Sequence, residues 1–273
     1  INLVEIVDGL VPDFNDQFNQ TIIFCIDILS KDKSDERYIP ELRIEACRFI
    51  NDIILMYKEI FDDGDVKAAR IPALLENLSN SYQLDNAELF KILNTLLFTI
   101  IKQYYSQSPS FMEQISRYIE KGFEYFPKNK EIVNSSIYFW KKVAAYEQNV
   151  IVKCDIDEKL CRAYNVERLE TTLSETASEN LIPILFKFME EIDDKETEVV
   201  NVETNPTPSM YSMTTVSFFY QLLPKEIFDK VRQRVEENIS KAENWTNIYA
   251  AAIMIYSIAD EPTSDDVCQF ISD

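Results

Sequence analysis

Seven carboxylates fall within the fourteen residues from Glu190 to Glu203. They are Glu190, Glu191, Asp193, Asp194, Glu196, Glu198 and Glu203, and Lys195 is the one base among them. Such a cluster can capture lysines and arginines of a partner, or it can be a solvated loop. Two sharper chemistries need more than it offers. Asp193-Asp194 is half of an aspartate-rich prenyl-synthase signature, which requires two such helix ends around one cavity. Asp62-Asp63-Gly64-Asp65 has the residue types of a calcium loop but not its twelve-residue spacing. Paired carboxylates also serve hydrolysis, yet nothing in the pattern marks a cleft. No catalytic residue, metal or cofactor is expected.

Composition narrows the choice further. The 273 residues include no histidine and only three glycines, with 47 acidic side chains against 27 basic ones, a net charge of -20. Without histidine there is no Ser-His-Asp triad, Cys-His dyad or His-ligated metal. Gly9, Gly64 and Gly122 are too scattered for a dinucleotide or phosphate-binding loop. So anionic a chain disfavours nucleic acid, whose phosphates need Lys and Arg. No apolar run suits a membrane span. The five cysteines (Cys25, Cys47, Cys154, Cys161, Cys268) lack C-x-x-C spacing and are expected as buried thiols in a reducing compartment. A non-catalytic binding scaffold remains, drawn to basic partners.

The elements that would position these residues are helices. Phe90, Leu93, Leu97, Ile100, Ile101 and Tyr104 share one face, as do Ala46, Cys47, Ile50, Ile53, Ile54 and Tyr57. Helices are expected over 3–10, 15–30, 40–60, 66–80, 86–105, 110–125, 130–147, 156–172, 176–192, 208–222, 225–241, 246–259 and 264–272. Linkers are expected around 147–158 and from Asp193 to Pro208, where Asn205-Pro206-Thr207-Pro208 suits a helix start. Short polar corners imply antiparallel pairs repeating about every 40 residues. Pro40-Glu41-Leu42-Arg43, followed by small residues, is a HEAT-like helix opening. The expected fold is all-α: one solenoid of HEAT-type antiparallel hairpins over 1–273, part of a longer one, with an acidic loop at 193–207 inside one hairpin. Trp140 and Trp245 are expected to pack in the core or between repeats.

Over about 89–273 the sequence resembles the HEAT-repeat part of the importin-β family of nuclear import receptors. Glu131-Ile132-Val133 through Ile137-Tyr138-Phe139-Trp140 to Val143 is similar to one family helix. Asn244-Trp245 through Ala250-Ala251 to Ile258 and Pro262 is similar to another. Between them, in the family's order, stand Asn180-Leu181-Ile182-Pro183-Ile184-Leu185, the acidic segment and Asn205-Pro206; Tyr104-Tyr105 ahead of Ser110 also matches. Departures stand beside these matches. Thr204 replaces the family's Trp before Asn-Pro, Tyr138 a carboxylate and Ile248 an Arg, while Lys195, Val199, Val200 and Val202 interrupt the acidic run.

The resemblance implies a right-handed superhelix acting as a monomeric transport receptor in cytoplasm, nucleus and nuclear pore. It would bind Ran-GTP, phenylalanine-glycine nucleoporins, and an importin-α-type basic helix or basic cargo. The acidic segment would meet Ran and the adaptor. Glu131 and Trp140 are the inner-helix candidates. Phe111, Ile115, Ile119 and Phe123 form a stripe that is mostly core, with an exposed edge for nucleoporin phenylalanines. Other readings are a different HEAT scaffold (another karyopherin or a phosphatase regulatory subunit) and, further off, an all-α enzyme using carboxylates.

Overall fold

The computed structural model describes residues 14–32, 34–35, 39–58, 67–156, 169–191, 207–241, 245–259 and 268–270. Among them are ten α-helices: α1 (Phe14–Ser30), α2 (Pro40–Met56), α3 (Lys67–Asn77), α4 (Ala87–Gln103), α5 (Met112–Phe123), α6 (Lys130–Ile156), α7 (Leu173–Glu190), α8 (Pro208–Leu222), α9 (Pro224–Ser240) and α10 (Trp245–Ala259). Two 3-10 turns, Ser81–Gln83 and Tyr105–Ser110, flank α4. No strand occurs among the described residues. Alternate helices begin at Phe14 and Lys67 in the first part of the chain and at Leu173 and Pro224 in the last, further apart than the expected 40.

The chain forms two compact units, Ile1–Glu124 and Tyr125–Asp273. In the first, α1 packs on α2, α1 on α3 and α2 on α4. Arg48 to Glu88 (2.9 Å) and Thr99 to Asn51 (2.7 Å) set α2 and α4 side by side and parallel. Both sequence faces proposed for this region are core: Ile50, Ile54, Phe90, Leu93, Leu97 and Ile100 are fully buried. Tyr57 lies just past α2 and is only half-buried. Arg43 is also fully buried. Its guanidinium donates to the carbonyls of Leu29 (3.1 Å), Lys31 (2.8 Å) and Asp32 (3.2 Å) and to Ser81 Oγ (3.1 Å). A cation thus occupies the negative end of the α1 dipole and satisfies carbonyls the helix leaves open.

In the second unit, α7 packs on α8 and α9 on α10. Helices two apart in sequence run parallel: Tyr138, Lys141 and Gln148 of α6 meet Tyr211, Phe218 and Gln221 of α8 in that order. Likewise Ser178, Glu179 and Glu190 of α7 meet Glu226, Lys230 and Arg234 of α9. The unit therefore has two rows, α7 and α9 in one and α6, α8 and α10 in the other.

Three expectations need correction. Helix α6 runs on to Ile156 instead of stopping at 147, so the start of the expected 147–158 linker is helical. Glu147, the last residue of the expected helix, is fully buried. Its carboxylate accepts from the backbone N–H of Leu173 (2.6 Å) and Ser174 (2.9 Å), closing the N-terminus of α7 from another helix. Helix α7 begins at Leu173, three residues earlier than expected, behind an N-cap in which Thr172 accepts from Glu175 N. Among the cysteines, Cys25 and Cys47 are buried, and burial pushes both thiols up, but Cys268 lies exposed. The expected helix 3–10 and most of 156–172 lie outside the described residues; of 264–272, residues 268–270 are helical.

Candidate functional site

Of the seven acidic candidates, Glu190 and Glu191 fall among the described residues, at the C-terminal end of α7. Asp193, Asp194, Glu196, Glu198 and Glu203 lie outside them, between α7 and α8. The segment ends as its prolines indicate: Thr207 caps α8 by accepting from Met210 N (3.3 Å), and Pro208 takes the first turn.

Glu190 is engaged within the protein. Arg234 grips it with two bonds of 2.6 Å, and Asn238 Nδ2 donates to it at 2.8 Å. Arg234 also donates to Glu237 at 2.9 Å. The bond to Glu190 holds the arginine above its ordinary pKa, while Gln233 and Arg234 hold Glu237 below the usual carboxylate value. This fork fixes the end of α7 to α9, and with it the start of the acidic segment. Glu191 faces Lys187 at 3.5 Å, a loose one-turn pair. In the same row Lys230 lies between Glu179 (2.9 Å) and Glu226 (3.2 Å). Burial pushes that lysine down, but the two carboxylates raise it overall.

The other candidates divide by exposure. Glu131 is exposed in the first turn of α6, where a carboxylate suits the dipole. Trp140 is 3% exposed and lies edge-on to Phe139, so its indole belongs to the core and is not on offer to a partner. Ile115 and Ile119 are likewise fully buried, because α5 turns that face inward. Phe111 and Phe123 remain half-buried at the stripe's edge.

Sequence reasoning missed the most open aromatic surface. Trp245, expected to pack in the core or between repeats, is 46% exposed. It stands with Ile248 (55%), Tyr249 (41%) and Tyr256 (57%) on one face of α10. Lack of charge did not mark this face: neither α8 nor α10 contains a charged residue, and α8 buries Val216, Phe219 and Tyr220. On α6 and α8, Tyr138 meets Tyr211 edge-on at 5.8 Å, with Lys142 over Tyr138 at 5.3 Å and Lys141 over Phe218 at 5.5 Å. Burial pushes Lys141 down and Tyr211 up.

Among the described residues no group of three or more acidic or thiol side chains could hold a metal ion. The Asp62–Asp65 stretch lies outside them. No described helix is long and apolar enough to cross a membrane.

The comparison that informs the site is one of fold. A structure of Kap95p bound to RanGDP matches with a TM-score of 0.73 at 16% identity, over 92% of this chain and 27% of that one. The fold is importin-β-like. Yeast importin-β (Kap95p) matches at 0.70 with 17% identity, over 96% of this chain and 28% of the other. A Kap95:Nup1 complex matches at 0.65 with 15% identity, over 90% and 29%. The chain thus spans less than a third of each importin-β structure, all of them all-α HEAT-repeat proteins built from sequential hairpins like these. No protein-family model and no curated protein matches the sequence.

Proposed function

We propose that this chain is part of a nuclear transport receptor of the importin-β kind, a non-catalytic HEAT scaffold that binds proteins. The observation that carries the reading is the importin-β-like fold over more than nine-tenths of the chain. The net charge of -20 supports it, since a carboxylate-rich surface steers and holds basic segments. In this reading the chain forms one solenoid, and residues 193–207 are an acidic loop within the α7/α8 hairpin. Asp193, Asp194, Glu196, Glu198 and Glu203 hold a basic adaptor helix or basic cargo. Glu190 fixes the root of that loop through Arg234. Ran-GTP competes for an overlapping surface that includes Glu131. Nucleoporin phenylalanines meet the edge formed by Phe111 and Phe123. The receptor works between cytoplasm and nucleus.

The test is capture of Ran by the immobilised chain. Selective recovery of the GTP-loaded form is expected; equal recovery of GTP-loaded and GDP-loaded Ran would sink the import-receptor reading. For the acidic segment, Asp193→Asn, Asp194→Asn, Glu196→Gln and Glu198→Gln together should flatten the salt dependence of binding to a basic helix. An unchanged slope removes the segment from the binding site.

A further inference from the structure

The two rows of the second unit treat their cations differently. Along α7 and α9, Lys187, Lys230, Arg232 and Arg234 each face a carboxylate. Lys141 of α6 faces a ring instead. Its ammonium lies 5.5 Å from the centre of Phe218, and no carboxylate among the described residues is within ion-pair distance. Residues 132–146 of α6 and the whole of α8 contain no acidic side chain. Lys141 is half-buried, and burial alone pushes its pKa down. In a chain with 47 acidic residues, a partly desolvated ammonium that none of the described carboxylates reaches is an exception. Such a charge is costly until it is paired.

We propose that Lys141 anchors a binding site for a short acidic peptide, one of whose carboxylates completes the ion pair. Its neighbours suit that ligand. Phe218 keeps water from one side of the ammonium, which strengthens a charge pair made on the other. Lys142 lies over Tyr138 at 5.3 Å, and Tyr138 meets Tyr211 of α8, so a second cation stands against a second pair of rings. Two turns further along the seam between α6 and α8, Gln148 donates to Gln221 at 2.7 Å, an amide pair that can also bond a peptide backbone. The net charge of -20 does not forbid such a ligand. At physiological salt a charge more than about 8 Å away is largely screened, so the nearest groups decide. Nucleic acid fits less well, since two cations neutralise few of its phosphates. The site takes the opposite charge from the acidic segment, and each is assayed with its own peptide, so either reading can fail alone.

The experiment uses the whole chain and labelled peptides of about eight residues, enough to reach from Lys141 to Gln148. One alternates glutamate with alanine, one has glutamine in place of glutamate, and one has lysine. Fluorescence anisotropy at physiological salt is expected to show the glutamate peptide binding about tenfold tighter than the glutamine peptide. Lys141→Met keeps most of the stem, removes the charge and should abolish that advantage. Lys187→Met makes the same change in net charge on α7 and should leave it. Neither variant should weaken binding of the lysine peptide. With the lysines carrying carbon-13 methyl labels, the Lys141 resonance should move as the glutamate peptide is added and should titrate at higher pH when it is bound. That signal is read in the native sequence, so it decides the matter even if Lys141→Met misfolds. Equal binding of the glutamate and glutamine peptides would overturn the proposal, as would a Lys141 resonance that stays in place. Equal losses in Lys141→Met and Lys187→Met would reduce the effect to net charge and overturn it too. So would oligothymidylate that displaces the peptide at equal concentration, which would assign the lysines to phosphate.

Discussion

The two arms of the last hairpin solve the same packing problem in opposite ways. Helix α9 has eight charged residues in seventeen and is tied to α7 by Lys230 and Arg234. Helix α10 has none in fifteen and is held by Ala250, Ala251, Met254 and Ile258. Directional ionic bonds set register along the α7/α9 row, because a bidentate arginine fits its carboxylate in one geometry. Along the α6/α8/α10 row, register follows from side-chain volume, since close-packed interiors tolerate few misfits. The first row should answer to pH and single donors, the second to cavities and buried charge.

The largest effect should come from putting one charge on the two sides of α10. Met254→Glu buries an unpaired carboxylate and should cost about 4 kcal/mol or unfold the hairpin. Ile248→Glu, on the exposed face, should stay within about 0.5 kcal/mol. Urea unfolding followed by circular dichroism compares them, and equal losses would break the two-sided description. Next is Glu147→Ala, which orphans two buried N–H groups at the start of α7 and should cost about 3 kcal/mol. A loss under about 1 kcal/mol would mean that the cap contributes little.

Smaller effects separate good ionic geometry from charge alone. Arg234→Ala should cost about 1–2 kcal/mol, discounted for its partial exposure, and Arg234→Lys less, with one donor site in place of a fork. Lys230 is raised, so its contribution is complete below the ordinary lysine value of 10.5 and fades as pH climbs through the folded pKa. Thermal midpoints above pH 10.5 should fall more steeply in the native sequence than in Lys230→Met. Glu237 is depressed, so its contribution is present above the usual carboxylate value and fades as pH falls. Least of all, Glu113→Ala breaks an exposed one-turn pair with Arg117 and should change stability by under about 0.5 kcal/mol. A loss like that of Arg234→Ala would show that charge alone matters.

Periodicity made most helices legible, because a buried face repeats every three to four residues whatever surrounds it. Pro208 was legible for a local reason, since proline fits a first helical turn, whereas Arg43 was read only as part of a helix opening and not as the buried cation it is. Nor was Glu147 legible, since an isolated acidic residue reads as solvent-facing until its distant N–H partners are known. The tryptophans show the same limit. Trp140 lies in a helix with seven charged residues and Trp245 in one with none, yet the first indole is enclosed and the second open, so packing and not composition decides. An apolar pattern on all sides carries no information about which side faces water. The acidic candidates beyond Glu191 have no long-range partner written in their spacing, so their role rests on the fold they interrupt.

Arg43 carries a consequence for how the protein is made. Its guanidinium closes the end of α1, but it also needs Ser81, 38 residues later in the sequence. Ser81 Oγ in turn donates to Leu29 O, 52 residues earlier, at 3.0 Å. As the chain leaves the ribosome, α1 and α2 therefore emerge with a cation whose set of acceptors is incomplete. The first hairpin should stay loosely docked until the turn at 81–83 has cleared the exit tunnel, and then tighten in a single step. A nascent chain halted before Ser81 should be open to protease, and one halted a few tens of residues later protected.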